Sequence, residues 1–341
     1  MKSKSILVTG GAGFIGSHVV VELQASGYRP VIIDNFSNSA EIIIKGIEHI
    51  TGQKTIFYKG DFQDSALLAK VIKNEEISGV IHFAALKAVN ESIHKPLRYY
   101  SNNVGGFITI LCELEKFGVK NVVFSSSCTV YGEPDTVPIS ESSPTKPATS
   151  PYGASKQMDE VILRDATKAS KILRSVALRY FNPIGAHKSG LIGELPHGIP
   201  ANLVPFVTQT AAGIRDNLVI YGNDYDTPDG TCIRDYIHVV DLAKAHIAAL
   251  EYTASKQPGF YDVVNVGTGR GHSVLEIVHA FQRVTGQTVP YTIGTRRAGD
   301  IVSIYASVDK SAKTLNWEAK KTLEQSLADA WRWQQKLTTL E

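Results

Sequence analysis

The chain has 341 residues, 43% apolar and 20% charged, the balance of a globular protein long enough for a large core and for a dominant domain with a smaller lobe. A formal net charge of +2 and a pI near 8.3 leave no excess of positive charge to hold a phosphate backbone, so nucleic acid is not expected as a partner. Cys112, Cys128 and Cys232 are odd in number, far apart and not in metal-ligand spacing, which predicts a reducing, cytoplasmic setting without a metal site.

The apolar run after Lys4 is broken by Gly10, Gly11 and Gly13, and no uninterrupted membrane-length segment follows anywhere, so neither a signal peptide nor a membrane span is predicted. Ile6-Leu7-Val8 reads as a buried strand that runs into Gly10-Gly11-Ala12-Gly13-Phe14-Ile15-Gly16 and then a helical pattern to about Gly27. Gly10 and Gly13 would let the backbone close on a pyrophosphate, Gly16 would let the helix approach the sheet, and the helix N-terminus would offer N–H groups to the anion. A simple tight turn is the competing reading of these glycines. Val31-Ile32-Ile33 is a second strand ending in Asp34, whose carboxylate can accept both hydroxyls of an adenosine ribose and would repel a 2′-phosphate, favouring NAD over NADP.

Thr55 to Tyr58 leads to Gly60-Asp61, and Gly79 to Phe83 leads to Ala84-Ala85. Small or polar residues at such strand ends are where open parallel sheets collect ligands. His82 has no second ligand near it and reads as a packed histidine. Pro96 to Phe117 reads as one helix, with Asn102 and Asn103 inside it as poor helix formers suited to a polar contact. Asn121 to Phe124 is the next strand, and it runs into Ser125-Ser126-Ser127-Cys128-Thr129. A proline-punctuated loop then reaches Ser150-Pro151-Tyr152-Gly153-Ala154-Ser155-Lys156. Pro151 suits a first helical turn, which puts Tyr152 and Lys156 on one face. A free phenol titrates at about 10, and a fixed ammonium beside it is one way to bring it toward neutrality.

Beyond a strand from Leu173 to Tyr180 the rhythm changes to longer loops, with a strand at Leu218 to Tyr221, a helix at about Val239 to Tyr252 and an aromatic C-terminal helix carrying Trp331 and Trp333. Arg234 and Arg297 have the planar fork that suits a diphosphate, though an arginine on a surface is more often a solvated charge. The alternation of strand and helix predicts an α/β fold: a doubly wound parallel sheet of Rossmann type over residues 1–180, capped by a smaller, mainly substrate-binding lobe over 181–341 with some segments returning to the first domain.

The set Gly-Gly-Ala-Gly-Phe-Ile-Gly-Ser-His (10–18), Asp34-Asn35, His-Phe-Ala-Ala-Leu-Lys-Ala-Val (82–89), Phe-Ser-Ser-Ser-Cys-Thr-Val-Tyr-Gly (124–132) and Ser-Pro-Tyr-Gly-Ala-Ser-Lys (150–156) resembles the extended short-chain dehydrogenase/reductases. With Arg-Tyr-Phe-Asn-Pro-Ile-Gly-Ala-His (179–187), Tyr-Gly-Asn-Asp-Tyr (221–225) and Arg-Asp-Tyr-Ile-His-Val (234–239), the likeness is to the UDP-glucose 4-epimerase family and spans nearly the whole chain. That resemblance implies an NAD-dependent isomerase interconverting UDP-glucose and UDP-galactose through a transient 4-keto sugar, with NAD staying bound. It implies Tyr152 as acid/base, Ser127 as its hydrogen-bonding partner, and Lys156 lowering the phenol pKa and holding the nicotinamide ribose. NAD would meet Gly10, Gly13, Phe14, Ile15, Gly16, Asp34, Asn35, Asn38, Ser39, Asp61, Phe62, Phe83, Ala84, Ala85, Lys87, Asn102 and Phe181. The UDP-sugar would meet Asn182, Asn202, Leu203, Tyr221, Arg234, Arg297, Asp300 and Ile304 as well as Ser127 and Tyr152. Ile304 stands where relatives carry an aromatic or a small residue, so the N-acetylhexosamine pair stays open while the glucose/galactose pair is the expected preference. A homodimer is common in the family.

Two rival readings remain. A nucleotide-sugar 4,6-dehydratase of the same fold wants an Asp-Glu pair after the serine strand end, where this chain has Cys128 and Thr129. A non-catalytic NAD-binding regulator would have little reason to keep Ser127, Tyr152, Lys156 and the arginines together.

Overall fold

Six strands with near-continuous apolar sequence, β1 (Ser5–Thr9), β2 (Arg29–Asp34), β3 (Ile56–Lys59), β4 (Ile77–His82), β5 (Asn121–Ser125) and β6 (Arg174–Tyr180), form most of a parallel sheet. In this computed structural model, which describes residues 4–297 and 299–340, three further strands follow, β7 (Asn182–Ile184), β8 (Leu218–Tyr221) and β9 (Ile233–His238), before β10 (Tyr261–Val266) returns to complete the sheet in the order β10-β6-β5-β4-β1-β2-β3. Alternate residues supply two cores. Ile6 and Val8 of β1 face α1 (Phe14–Ala25), α2 (Glu41–Thr51) and a later helix, whereas Leu7 faces α3 (Ser65–Asn74) and its neighbours. A strand buried on both faces has no polar side to show, which is why the inner strands lack alternation, whereas β3 at the sheet edge is only half-buried.

After β4 come α4 (Val89–His94), α5 (Pro96–Tyr99), a widened helical turn over Tyr100–Gly105, and α6 (Gly106–Lys116). The single helix expected from Pro96 to Phe117 is thus continuous but irregular, and the irregular turn holds Asn102 and Asn103. α7 (Pro151–Ala169) begins as predicted, with Pro151 at its first position and the Ser150 hydroxyl accepting the Gly153 N–H. The C-terminal half adds α8 (Leu203–Ala211), α9 (Val239–Ala254), β11 (Gly271–Ser273), α10 (Val274–Thr285), β12 (Tyr291–Gly294), β13 (Ser303–Ile304), α11 (Asp309–Leu315) and α12 (Leu323–Leu340). Of these, α9 packs along α1 and belongs to the first core. α8, β8, α10 and α12 enclose a third core around Val207, Ile220, Phe281 and Leu327. No described helix is long and apolar enough to cross a membrane.

The sheet changes winding direction between β1 and β4, so the crevice at their C-terminal ends lies at the switch point where such sheets take ligands. The glycine turn after β1 and Phe83-Ala84 after β4 sit there. Gly10 has φ +70°, and a Cβ on it would fall 2.9 Å from the Ala84 nitrogen. A Cβ on Gly16 would fall 2.2 Å from the Gly10 carbonyl oxygen. Those two glycines therefore set how tightly the turn, the neighbouring strand and α1 close together. Gly13 is different, because a Cβ there meets only the Gly10 oxygen at 3.2 Å and the space outside it is open.

Candidate functional site

The first half of the site is an anion seat. α1 starts at Gly13 without a side-chain cap and without an acidic residue in its first turn, so the N–H groups of Phe14, Ile15 and Gly16 lack helical partners and face the opening beside the glycine turn. Asp34 ends β2 almost buried. One of its oxygens accepts the Ala12 N–H at 3.0 Å, and the other accepts Phe36 N–H and Ser39 Oγ, both at 2.9 Å. The aspartate thus ties the glycine turn to the loop after β2 while its remaining lone pairs stay available. Asn35 Nδ2 donates to Asp61 at 3.2 Å, bringing two of the predicted cofactor residues together, and Asn38 is exposed nearby. Phe62, expected at the cofactor, has its ring packed in the core against His82 instead. The open seat, the bare helix start and the carboxylate at the end of β2 together fit a dinucleotide.

The second half is built on β5 and α7. Lys156 is buried, its Nζ donating to the Ser125 carbonyl at 2.8 Å and lying 4.7 Å over the Phe124 ring. Ser127 opens the turn after β5, accepting the Thr129 N–H at 3.2 Å. Tyr152 is buried beside Ser127, Cys128, Tyr99 and Tyr180. Burial pushes its phenol well above the ordinary range, the nearby Tyr180 adds to that, and the hydrogen bond from Ser127 works the other way. The expected lowering of the phenol by Lys156 is not made by direct contact, because the ammonium sits on the Ser125 carbonyl. Burial holds Lys156 itself down at about 8, against the pull of Asp159 and Glu160.

Several positioning residues carry no sequence signature of their own. Asn103, in the widened turn, accepts the Leu86 N–H at 2.9 Å and donates to Leu86 O at 3.0 Å and Ser155 Oγ at 3.1 Å. It fastens the Phe83–Lys87 loop to α7, the polar contact expected of a poor helix former inside this helix, with partners the sequence does not name. Asn102 itself accepts from Gln63 at 3.3 Å. Glu194 was missed altogether: it receives Lys87 Nζ at 3.1 Å and Asn202 Nδ2 at 2.6 Å, joining a predicted cofactor residue to a predicted substrate residue. Trp333 of α12 donates to the Glu194 carbonyl at 2.8 Å. Below Ser126, Glu160 forms a buried fork with Arg179, at 2.9 and 2.5 Å.

The predicted substrate residues line the lobe. Asn182 starts β7, Leu203 starts α8, and Tyr221 ends β8 half-exposed. Arg297 pairs with Asp300 at 2.8 Å and lies 5.4 Å over the Tyr221 ring, so these three meet. Arg234 Nη1 donates to its neighbour's carbonyl at 2.8 Å, and its charge reaches Cys128. Phe181 and Ile304 are buried in one cluster with Cys128 and Tyr131, which connects the lobe to the serine turn. His82 is packed as expected, bonded to Thr9 Oγ1 at 2.7 Å and stacked on Phe107.

A doubly wound parallel sheet with a glycine turn and Asp34 at its switch point, and with serine, tyrosine and lysine at the next strand end, defines an extended short-chain dehydrogenase/reductase. The family described as GDP-mannose 4,6 dehydratase matches residues 7–330. The UDP-glucose 4-epimerase of Bacillus subtilis is 53% identical over 331 residues, covering 97% of this chain and 96% of its own. A crystal structure of UDP-glucose 4-epimerase from Bifidobacterium longum, in complex with NAD+ and UDP, superposes with a TM-score of 0.94 at 48% identity, covering 98% of each chain. One from Stenotrophomonas maltophila, with bound NAD and formylated UDP-arabinopyranose, gives 0.96 at 43% identity over 99% of this chain and 100% of that one. The chain belongs to the UDP-glucose 4-epimerase family.

Proposed function

We propose that this chain is an NAD-dependent isomerase that interconverts UDP-glucose and UDP-galactose, with Tyr152 as the proton-transferring group, Ser127 as its hydrogen-bonding partner and Lys156 as the ammonium behind it. The observation that carries the assignment is the convergence of Ser127 from the β5 turn with Tyr152 and Lys156 from α7 at the sheet's switch-point edge. Bound NAD supplies a hydride acceptor and donor for the sugar C4. Tyr152, as phenolate, would take the C4 hydroxyl proton as C4 is oxidised to a ketone and, as the phenol so formed, return it when the opposite configuration is made. The glycine turn and the start of α1 would hold the cofactor's pyrophosphate, Asp34 would accept its adenosine ribose hydroxyls, and Asp61, Ala84, Lys87 and Asn102 would stand around it.

The 4-keto sugar must turn its other face to the cofactor between the two half-reactions. Anchoring therefore belongs on the nucleotide diphosphate, where Arg234, Arg297 and Tyr221 stand, with only loose contacts on the hexose. Ile304, packed against Cys128 and Phe181, limits room beside the sugar and favours the glucose/galactose pair over the N-acetylhexosamines. Residues 1–180 then act mainly on the cofactor and 181–341 mainly on the substrate, with α9 and β10 returned to the sheet. A second copy covers the adjoining helices α6 and α7, where Ile108, Met158 and Val161 stand exposed, and the free cysteines suit the cytoplasm. The dehydratase reading has no acidic pair to act through, since Cys128 and Thr129 occupy the positions after Ser127.

The test is incubation of the purified protein with UDP-galactose and no added NAD. Appearance of UDP-glucose supports the assignment; UDP-4-keto-6-deoxyglucose would select the dehydratase, and an unchanged substrate the regulator.

A further inference from the structure

We propose that Asp159 is the counter-charge that keeps Lys156 an ammonium inside the protein, a positioning residue that reaches the phenol only through that lysine. The inference rests on the role given to Lys156 above. Both side chains are buried, at 3% exposure for Lys156 and 1% for Asp159, and they lie one turn apart on the same helix, the spacing at which side chains become neighbours. A buried ammonium needs a compensating charge or it loses its proton. The hydrogen bond that Lys156 makes is to a neutral carbonyl, that of Ser125.

Glu160, the other carboxylate nearby, is already committed. Its two oxygens take Ser126 Oγ and the Arg179 fork, so its charge is matched by the guanidinium. Asp159 is not committed in this way: its Oδ1 is buried with no hydrogen-bond partner among the described residues. The groups that face this part of α7 from its neighbours do not substitute for it. His82 of β4 is held neutral by burial and by Lys156, at about 3. The phenols of Tyr99, Tyr180 of β6 and Tyr261 of β10, and the Cys128 thiol, are all pushed up by burial. Arg179 of β6 belongs to Glu160. Burial outweighs the pull of Lys156 and, with Glu160 adding to it, leaves Asp159 at about 7, while burial outweighs the pull of Asp159 and Glu160 and leaves Lys156 at about 8. The two therefore titrate as a pair, whose protons leave in two shared steps.

The sign of the consequence is fixed. Without the Asp159 charge, Lys156 gives up its proton at a lower pH, and the phenol loses its cation on the alkaline side while acid-side activity is spared. Asp159→Asn keeps the shape and removes the charge. The experiment is kcat against pH for parent and variant, with bound NAD and KM measured alongside. We expect the alkaline limb to move down by about one pH unit, a rate roughly tenfold below parent on that limb, and unchanged NAD content and KM. Asp159→Val is the second variant: removing one partner of a buried charge pair is costly only while the other stays charged, and Lys156 can release its proton instead, so the variant should fold and show the same shift. Superimposable profiles for parent and either folded variant would overturn the proposal. Lys156→Met separates the two levels: if it keeps the parental rate, the role of Lys156 itself is wrong. If it is slow while the Asp159 variants match the parent, only the Asp159 inference is wrong.

Discussion

Replacing Asn103 by alanine should loosen the join between the cofactor loop and the catalytic helix. The amide lies at 1% exposure and makes three bonds outward, two to the Leu86 main chain and one to Ser155 Oγ. Leaving a buried donor or acceptor unpaired costs about 1–3 kcal/mol. Leu86 is only half-buried, so water recovers part of that, and Ser155 still donates to the Tyr152 carbonyl at 2.7 Å. The sum is about 2–3 kcal/mol by the same reasoning. For a chain of this length the unfolding entropy is roughly 0.7 kcal/mol per kelvin, so the melting temperature should fall by about 3–4 °C. Calorimetry of the NAD-loaded protein reads that shift, and kcat should fall with it because the loop carrying Ala84 and Lys87 is no longer held against α7. Asn102→Ala is the comparison: half-buried, it donates to Asn103 Oδ1 at 2.9 Å and accepts from Gln63 at 3.3 Å, but the bonds of Asn103 to Leu86 and Ser155 stay in place without it, so it should change the melting temperature by less than about 1 °C and act instead on cofactor retention. An Asn103→Ala protein that melts within a degree of the parent and turns over at the same rate would refute the idea that this amide is the tie.

Tyr152→Phe should keep its NAD and lose about 100-fold or more in kcat; a parental rate would remove the phenol from proton transfer. Gly16→Ala forces a methyl toward the Gly10 oxygen, 2.2 Å away, so α1 must move off the turn at a cost of about 1–3 kcal/mol. Bound NAD per chain after gel filtration should fall, and full occupancy would contradict the packing argument. Burial alone would raise Asp329, but its hydrogen bond with His238 and the charges of Arg332 and Lys321 outweigh this and hold it down at about 2. A carboxylate with a depressed folded pKa contributes stability above its unfolded value, about 4, and loses it as pH falls toward the folded one. The melting-temperature gap between parent and Asp329→Asn should therefore shrink between about pH 4 and pH 2; a constant gap would show that the carboxylate is not what titrates.

The strands, the glycine turn and the α7 start were legible in the sequence because each is a local property: unbroken apolar runs, glycines at fixed spacing, and a proline suited to a first helical turn. The same locality placed Asp34 at the end of β2 and Tyr152 with Lys156 on one helical face. Other features were decided by elements far apart in the chain. Glu194 meets Lys87 across the cleft and Trp333 from the last helix. Asn103 grips Leu86 and Ser155 at once, β10 leaves the C-terminal half to finish the first sheet, and α9 leaves it to pack on α1. The widened turn at Tyr100–Gly105 was hidden inside what reads as one regular helix, because its reason is the contact Asn103 makes outside that helix. Periodicity reports which face of an element is buried. It does not report what lies against that face, so the direction of the Lys156 ammonium, and the uncommitted Asp159 one turn beyond it, were settled only when β5, β6 and α7 came together and left a charge without water.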